Sequence, residues 1–326
     1  MLNAINDKTK FYIAAPSNFA TGGPELLHQL AYKLKSEGKD VKMYYSPPNH
    51  PAPIHENYLE YQLDFVTIVE DDVNNILVVP ETMIYLLEGY KKTKTSIWWL
   101  SVDNYFLSIR YIRGLINRFL LGIMGSQDYL FFNKKLMFVD YHLVQCKYAE
   151  QTLKNYGIKS IMHLGDYLHK SFLDKETNVN KKENIVVYNP KKGLRITQKL
   201  IKHASHIKFV PIENMTREEV VALLQRAKVY IDFGFHPGKD RIPREAAYLE
   251  CCVITNKRGA AFYQEDVPIM EEFKFNEKEL SLKLLSQKID DCFVNYDHNS
   301  SKFSSYRDEI RNQESEFGCQ IKSIFG

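Results

Sequence analysis

The sequence predicts an α/β chain of two domains, each built on a parallel sheet, and three observations carry that prediction. Short apolar strands alternate with amphipathic helical stretches from Phe11 onward, as crossover helices between parallel strands require. A polar, charged stretch over 171–184 interrupts the alternation, which then resumes. At 326 residues the chain is long for one hydrophobic core. The expected division is a first domain over 1–170, a linker over 171–184 and a second domain over 185–305. A helix over 306–326 is expected to pack back on the first domain, with Ile310, Phe317, Ile321 and Ile324 as its apolar stripe.

In the first domain, Phe11–Ala15 reads as a strand closed by Pro16. A loop then leads into a helix whose apolar face is Leu26, Leu27, Leu30 and Leu34. Gly22 and Gly23 open that helix and permit close approach of a ligand to the backbone. Gly38 ends the helix and Val41–Tyr45 is the next strand, completing a βαβ unit. Residues 46–60 are rich in proline and histidine and read as loop; His50 and His55 lack the cysteine or carboxylate partners of a metal site. Ile76–Val79 is a buried strand followed by a helix through Met83, Leu86 and Leu87. Ser96–Val102 is another strand and stops at Asp103, which suits either a helix cap or a general base.

The apolar segment 106–124 carries Arg110, Arg113 and Arg118 on one side of a helix. It fits a helix lying on an anionic membrane surface or a core helix with one basic face. Tyr129–Phe132 and Phe138–Gln145 are further apolar runs, and His142 in the second is a candidate base or a satisfied core histidine. A helix over 147–155 and a strand over Ile161–Leu164 complete this half.

The second half opens with a strand at Ile185–Tyr188, turning through Asn189, Pro190, Lys191, Lys192 and Gly193 into a helix. Lysines and a glycine between strand and helix N-terminus suit a phosphate. Ile207–Pro211 is a strand, and Thr216 with Glu219 forms a capping box. The strand Lys228–Asp232 then runs into His236, Lys239, Asp240, Arg241, Arg244 and Glu245, with a helix starting near Pro243 and an apolar strand at Cys251–Ile254. Guanidinium forks and a helix N-terminus suit phosphate, and a carboxylate suits sugar hydroxyls. The cluster reads as a site for a nucleotide carrying a sugar.

Composition narrows the classes. With 43 basic and 40 acidic residues, the net charge of +3 gives no footprint for nucleic acid. Five cysteines without CxxC or Cys/His spacing read as reduced thiols, with Cys251 and Cys252 buried, and so as a cytosolic setting. The start shows no secretory leader, and no run is apolar for long enough to span a bilayer. A GxGxxG turn with its acidic partner is absent, which argues against a nicotinamide dehydrogenase.

Taken together, Gly22-Gly23-Pro24-Glu25, Lys192-Gly193 and Glu245-Ala246 ahead of Val253-Ile254 resemble the motifs of GT-B glycosyltransferases. The likeness is to the family 4 group of bacterial enzymes that build lipopolysaccharide, capsule and related glycans. It implies two Rossmann-like domains facing across a cleft, with transfer of a sugar from a nucleotide-sugar donor to a glycan or lipid-linked glycan hydroxyl. It also implies no cofactor and no metal, in a cytoplasmic protein with peripheral contact at the inner face of the membrane. Gly22, Gly23, Lys191, Lys192, Gly193, Arg241 and Arg244 would hold the diphosphate, and Glu245 the ribose. The family's paired glutamates lie eight positions apart, and the partner position here is Pro237. The donor-sugar contact then falls to His236, Lys239 or Asp240, and His236-Pro237 resembles the element of CMP-sugar transferases. UDP-, GDP- and CMP-sugars therefore stay open as donors, and Asp103 and His142 as acceptor-side bases. A sugar-nucleotide epimerase and an inactive sugar-nucleotide or glycan-binding subunit are the alternatives.

Overall fold

The computed structural model describes residues 5–107, 136 and 139–326. The chain divides into two compact units, Met1–Asp166 together with Ser315–Gly326, and Tyr167–Glu314. The basic segment over 106–124, with Arg110, Arg113 and Arg118, lies outside the described residues beyond 107, as does Tyr129–Phe132. Among the described residues no helix is long and apolar enough to cross a membrane.

The first unit holds a parallel sheet of seven strands in the order β3-β2-β1-β4-β5-β6-β7. Its central strands are β1 (Lys10–Pro16), β4 (Ile76–Pro80) and β5 (Lys94–Trp99), flanked by β2 (Asp40–Ser46), β3 (Phe65–Val66), β6 (Tyr141–Val144) and β7 (Ile161–His163). Every residue of β4 is buried, as a strand covered on both faces must be. Helix α1 (Gly22–Ser36) joins β1 to β2 and buries Leu26, Leu27, Leu30 and Leu34. The helix expected through Met83, Leu86 and Leu87 is instead a 3-10 turn over Glu81–Leu87, broken at Met83 (φ −123°, ψ 24°). Glu81 is turned inward and accepts the Leu100 N–H at 3.0 Å, so this stretch presents no 3.6-residue face. A further 3-10 turn, Glu56–Tyr61, lies at the end of the proline-rich loop, with His55 capping Asn57 N. Helix α2 (Lys147–Asn155) precedes β7.

The second unit holds a parallel sheet of five strands in the order β12-β11-β10-β8-β9. These are β8 (Glu183–Tyr188), β9 (Lys208–Pro211), β10 (Ala227–Asp232), β11 (Cys252–Asn256) and β12 (Lys274–Phe275). Residues 171–184 do not form a free spacer. The short helix α3 (Lys170–Leu173) buries Phe172 in this unit's core beside Leu168. Lys182 donates from Nζ to the carbonyls of Leu224, Ala227 and Leu249 at 2.8, 2.7 and 2.6 Å. The linker-like composition misleads because few apolar side chains suffice when a buried ammonium closes chain ends.

Helices α4 (Leu194–His203), α5 (Arg217–Arg226) and α6 (Arg241–Tyr248) follow β8, β9 and β10. The Thr216–Glu219 capping box at the start of α5 is present on both sides. After α7 (Leu282–Val294) and α8 (Tyr296–Ser301), helix α9 (Ser304–Phe325) begins in the second unit and ends in the first. Its last turns bring Phe317 beside Trp98 and Phe325 edge-on to Phe11, with ring centroids 6.2 and 5.6 Å apart.

Strand order locates the ligand crevices. In the second unit the chain leaves β8 for β9 on one side, then returns to β10 on the other. The loops after β8 and β10 therefore diverge at a topological switch point, where open α/β sheets bind ligands.

Candidate functional site

The switch point of the second unit gathers side chains from the loops after β8 and β10. Strand β10 ends at the buried Asp232, which accepts from Tyr230 OH at 3.1 Å and Gly234 N at 2.9 Å. The chain then turns through His236, a non-glycine residue in the left-handed region (φ 46°), which places its ring over the strand end. Nε2 lies 3.3 Å from the Asp232 carbonyl and Nδ1 3.1 Å from Asp240 Oδ2. From the β8 loop, Lys192 donates to Asp240 Oδ1 at 2.6 Å.

Glycines allow these loops to touch backbone to backbone. Gly193 adopts φ 61°, and a Cβ on it would lie 2.3 Å from the Phe233 carbonyl carbon. A Cβ on Gly259, after β11, would meet the His236 carbonyl oxygen at 2.2 Å, where Ala260 N already donates at 2.8 Å. No side chain fits at either position without moving a backbone.

Electrostatics knit the cluster. Burial lowers the His236 pKa, but the Asp232 and Asp240 carboxylates outweigh it and raise it. Burial raises the pKa of Asp240, and the His236 ring and Lys192 outweigh that, holding it well below the carboxylate range. Tyr230 is driven far up by burial and by Asp232, Asp240 and Glu245 around it. Asp232, His236 and Asp240 have the atom spacing of a metal site, the one such group among the described residues. The same two carboxylates face the His236 ring and the Lys192 ammonium, and both Asp232 oxygens have donors.

The other residues singled out from sequence divide sharply. Glu245 lies in α6 and is 6% exposed. Arg241 opens that helix half-buried, and Lys191 is exposed, its N–H turned onto Asn189 Oδ1. Arg244 is no phosphate ligand. Its side chain is 0% exposed and donates to the carbonyls of Lys239 and Asp240 and to Gln313 Oε1 in α9. Lys239 is likewise drawn to α9, 3.2 Å from Glu309. Both clamp the loop from behind.

In the first unit, Gly22 and Gly23 form the first turn of α1, beyond Thr21, and a Cβ on Gly23 would touch Leu100 at 3.6 Å. Glu25 is buried and accepts from Tyr61 OH. Asp103 is half-buried and accepts from Tyr148 OH at 2.8 Å. His142 is withdrawn as a base. It is 1% exposed within β6, its Nδ1 accepts from Trp99 Nε1 at 3.0 Å, and its Nε2 lies 3.1 Å from the Leu136 carbonyl. Burial drops its pKa to about 4. Three groups escaped the sequence reading. Asp232 and Tyr230 were hidden in an apolar strand, although an Asp ending such a strand is itself a signal. Glu81, buried at the end of β4 with its pKa pushed up to about 7 by desolvation, sits in a stretch read as helix.

No family model and no curated protein matches the sequence. Solved structures do match. HepE of Anabaena bound to UDP-glucose is 10% identical over 96% of this chain and 98% of its own, with a TM-score of 0.64. A glycosyltransferase of Rickettsia africae is 12% identical over 98% and 97%, at 0.60. The lipopolysaccharide outer core galactosyltransferase WaaB is 9% identical over 96% and 99%, also at 0.60. The fold is GT-B. In GT-B terms, the seven-stranded unit is the N-terminal Rossmann-like domain and the five-stranded unit the C-terminal one.

Proposed function

We propose that this GT-B chain transfers a hexosyl group from a nucleotide-sugar donor to a hydroxyl of a bacterial surface glycan, without a metal ion. The observation that carries the reading is the Lys192–Asp240–His236 network at the switch point of the second unit. HepE, of like fold, binds UDP-glucose, and WaaB acts as a galactosyltransferase of the lipopolysaccharide outer core. The first supports a nucleotide-sugar donor here and the second a glycan acceptor.

Breaking the anomeric C–O bond leaves charge on the diphosphate, which fixed cations and N–H groups must meet. In this reading Lys192 turns from Asp240 onto the diphosphate, beside the first-turn N–H groups of α4 and Arg241. His236 stays paired with Asp240 at 3.1 Å, so the carboxylate is not stranded when the ammonium leaves. Glu245 takes the ribose hydroxyls. Gly22 and Gly23 offer α1 N–H groups, and Asp103 receives the acceptor proton. Contact of 106–124 with the inner membrane face belongs to the same proposal.

The test is turnover with UDP-, GDP- and CMP-sugars and a glycan acceptor. Lys192→Ala lowers kcat by about 10²–10³, and Glu245→Ala raises donor KM. Wild-type turnover in both folded variants ends the reading, and product from donor alone turns it to an epimerase.

A further inference from the structure

A cavity beside α4 begins at Gly193 and the first turn of that helix, which the reading above gives to the diphosphate, and continues along the helix to Lys199. It measures about 590 Å³ and is lined only by residues of the second unit. That volume suits a small organic ligand. Lys192, Asp240 and Glu245 do not line it.

One wall is the outer face of α4. Arg195 and Lys199 stand there one helical turn apart, both exposed, and neither has a hydrogen-bond or ion-pair partner among the described residues. Facing them is Phe235, 63% exposed, with the Arg258 guanidinium 4.0 Å from its ring centroid. Arg258 is held in turn by Glu277 at 3.3 Å, so the aromatic plane has a fixed support. Phe233, Leu280 and Leu282 add apolar lining. Three cations thus face one carboxylate, and Glu277 already accepts from Arg258 and Asn256.

The ligand chemistry follows by elimination. A bare inorganic anion leaves the apolar lining and the ring unused, and a neutral sugar leaves the cations unused. A sugar ring presents C–H faces to an aromatic plane, and an anionic substituent answers the guanidinium and ammonium groups. We propose that this cavity is a second ligand site for an anionic monosaccharide, held by Arg195, Lys199 and Arg258 with its ring against Phe235. The anion is a phosphate or a carboxylate, since both offer the same acceptor oxygens.

Calorimetric titration of the full chain tests this with glucose 6-phosphate, glucuronate, inorganic phosphate and methyl glucoside. Both anionic sugars, or one of them, bind saturably and methyl glucoside does not; the tighter one identifies the anion. The double variant Arg195→Glu/Lys199→Glu, altering only exposed side chains, weakens that binding at least tenfold. Phe235→Ala weakens the anionic sugar and leaves inorganic phosphate unchanged. Lys192→Ala leaves the anionic sugar unchanged, which separates this site from the donor loop whatever happens to turnover. The proposal falls if neither anionic sugar outbinds methyl glucoside, if the double variant retains full affinity, or if Lys192→Ala abolishes binding.

Discussion

Asp240 shows how much of the site rests on single side chains. Its carboxylate receives Lys192 on one oxygen and faces His236 on the other. Asp240→Asn leaves Lys192 without its counter-charge and His236 with Asp232 alone, and is expected to cost about 3 kcal/mol, read from the midpoint of denaturant unfolding. His236 has a raised folded pKa, so its contribution is complete below its unfolded value of 6.5 and fades as pH rises through the folded one. His236→Asn, which tolerates the left-handed backbone, should therefore flatten the decline of stability above pH 6.5. Glu81 acts in a lower window. Its folded pKa of about 7 exceeds the unfolded 4.5, so the native state holds a proton the unfolded chain has released, and stability falls as pH rises between them. Glu81→Gln keeps an acceptor for the Leu100 N–H and should remove a slope worth on the order of 3 kcal/mol. Lys192, His236 and Asp240 stood out in the sequence as polar side chains in loops after strands, and the structure brings the three together. Arg244 misled for a geometric reason. It adjoins Glu245, yet neighbouring helical positions point about 100° apart, and its partner Gln313 is 69 residues away.

Elements were legible where one local rule governs them. The Thr216–Glu219 box and the α1 and α2 helices follow from capping and 3.6-residue spacing, with no long-range help. Thr216→Ala should cost about 1 kcal/mol in unfolding free energy. The 81–87 turn failed because its shape depends on Leu100, nineteen residues on, which no local pattern reveals. Gly193 stands between these cases. Sequence marks it as a turn glycine, but only the packed loops show the Phe233 backbone against its Cα. Gly193→Ala should destabilise the second unit by more than about 1 kcal/mol and weaken donor binding, seen by thermal shift with each nucleotide.

Across the whole chain, strand–helix alternation was enough to read two parallel α/β units, because each right-handed crossover needs a helix. Strand order was not readable: several arrangements satisfy the same alternation, and packing chooses among them. The C-terminal helix ties the first unit's last residues to its core through Phe317 and Phe325. Phe317→Ala should cost about 3–5 kcal/mol and lower the melting temperature in calorimetry.

Lys182 carries a practical corollary. Sheathed by three carbonyls and with its pKa lowered by burial, its amine should escape acylating reagents that modify exposed surface lysines at once. Mass-spectrometric labelling at that one position would then clock transient openings of the five-stranded lobe, a sentinel already written into the chain.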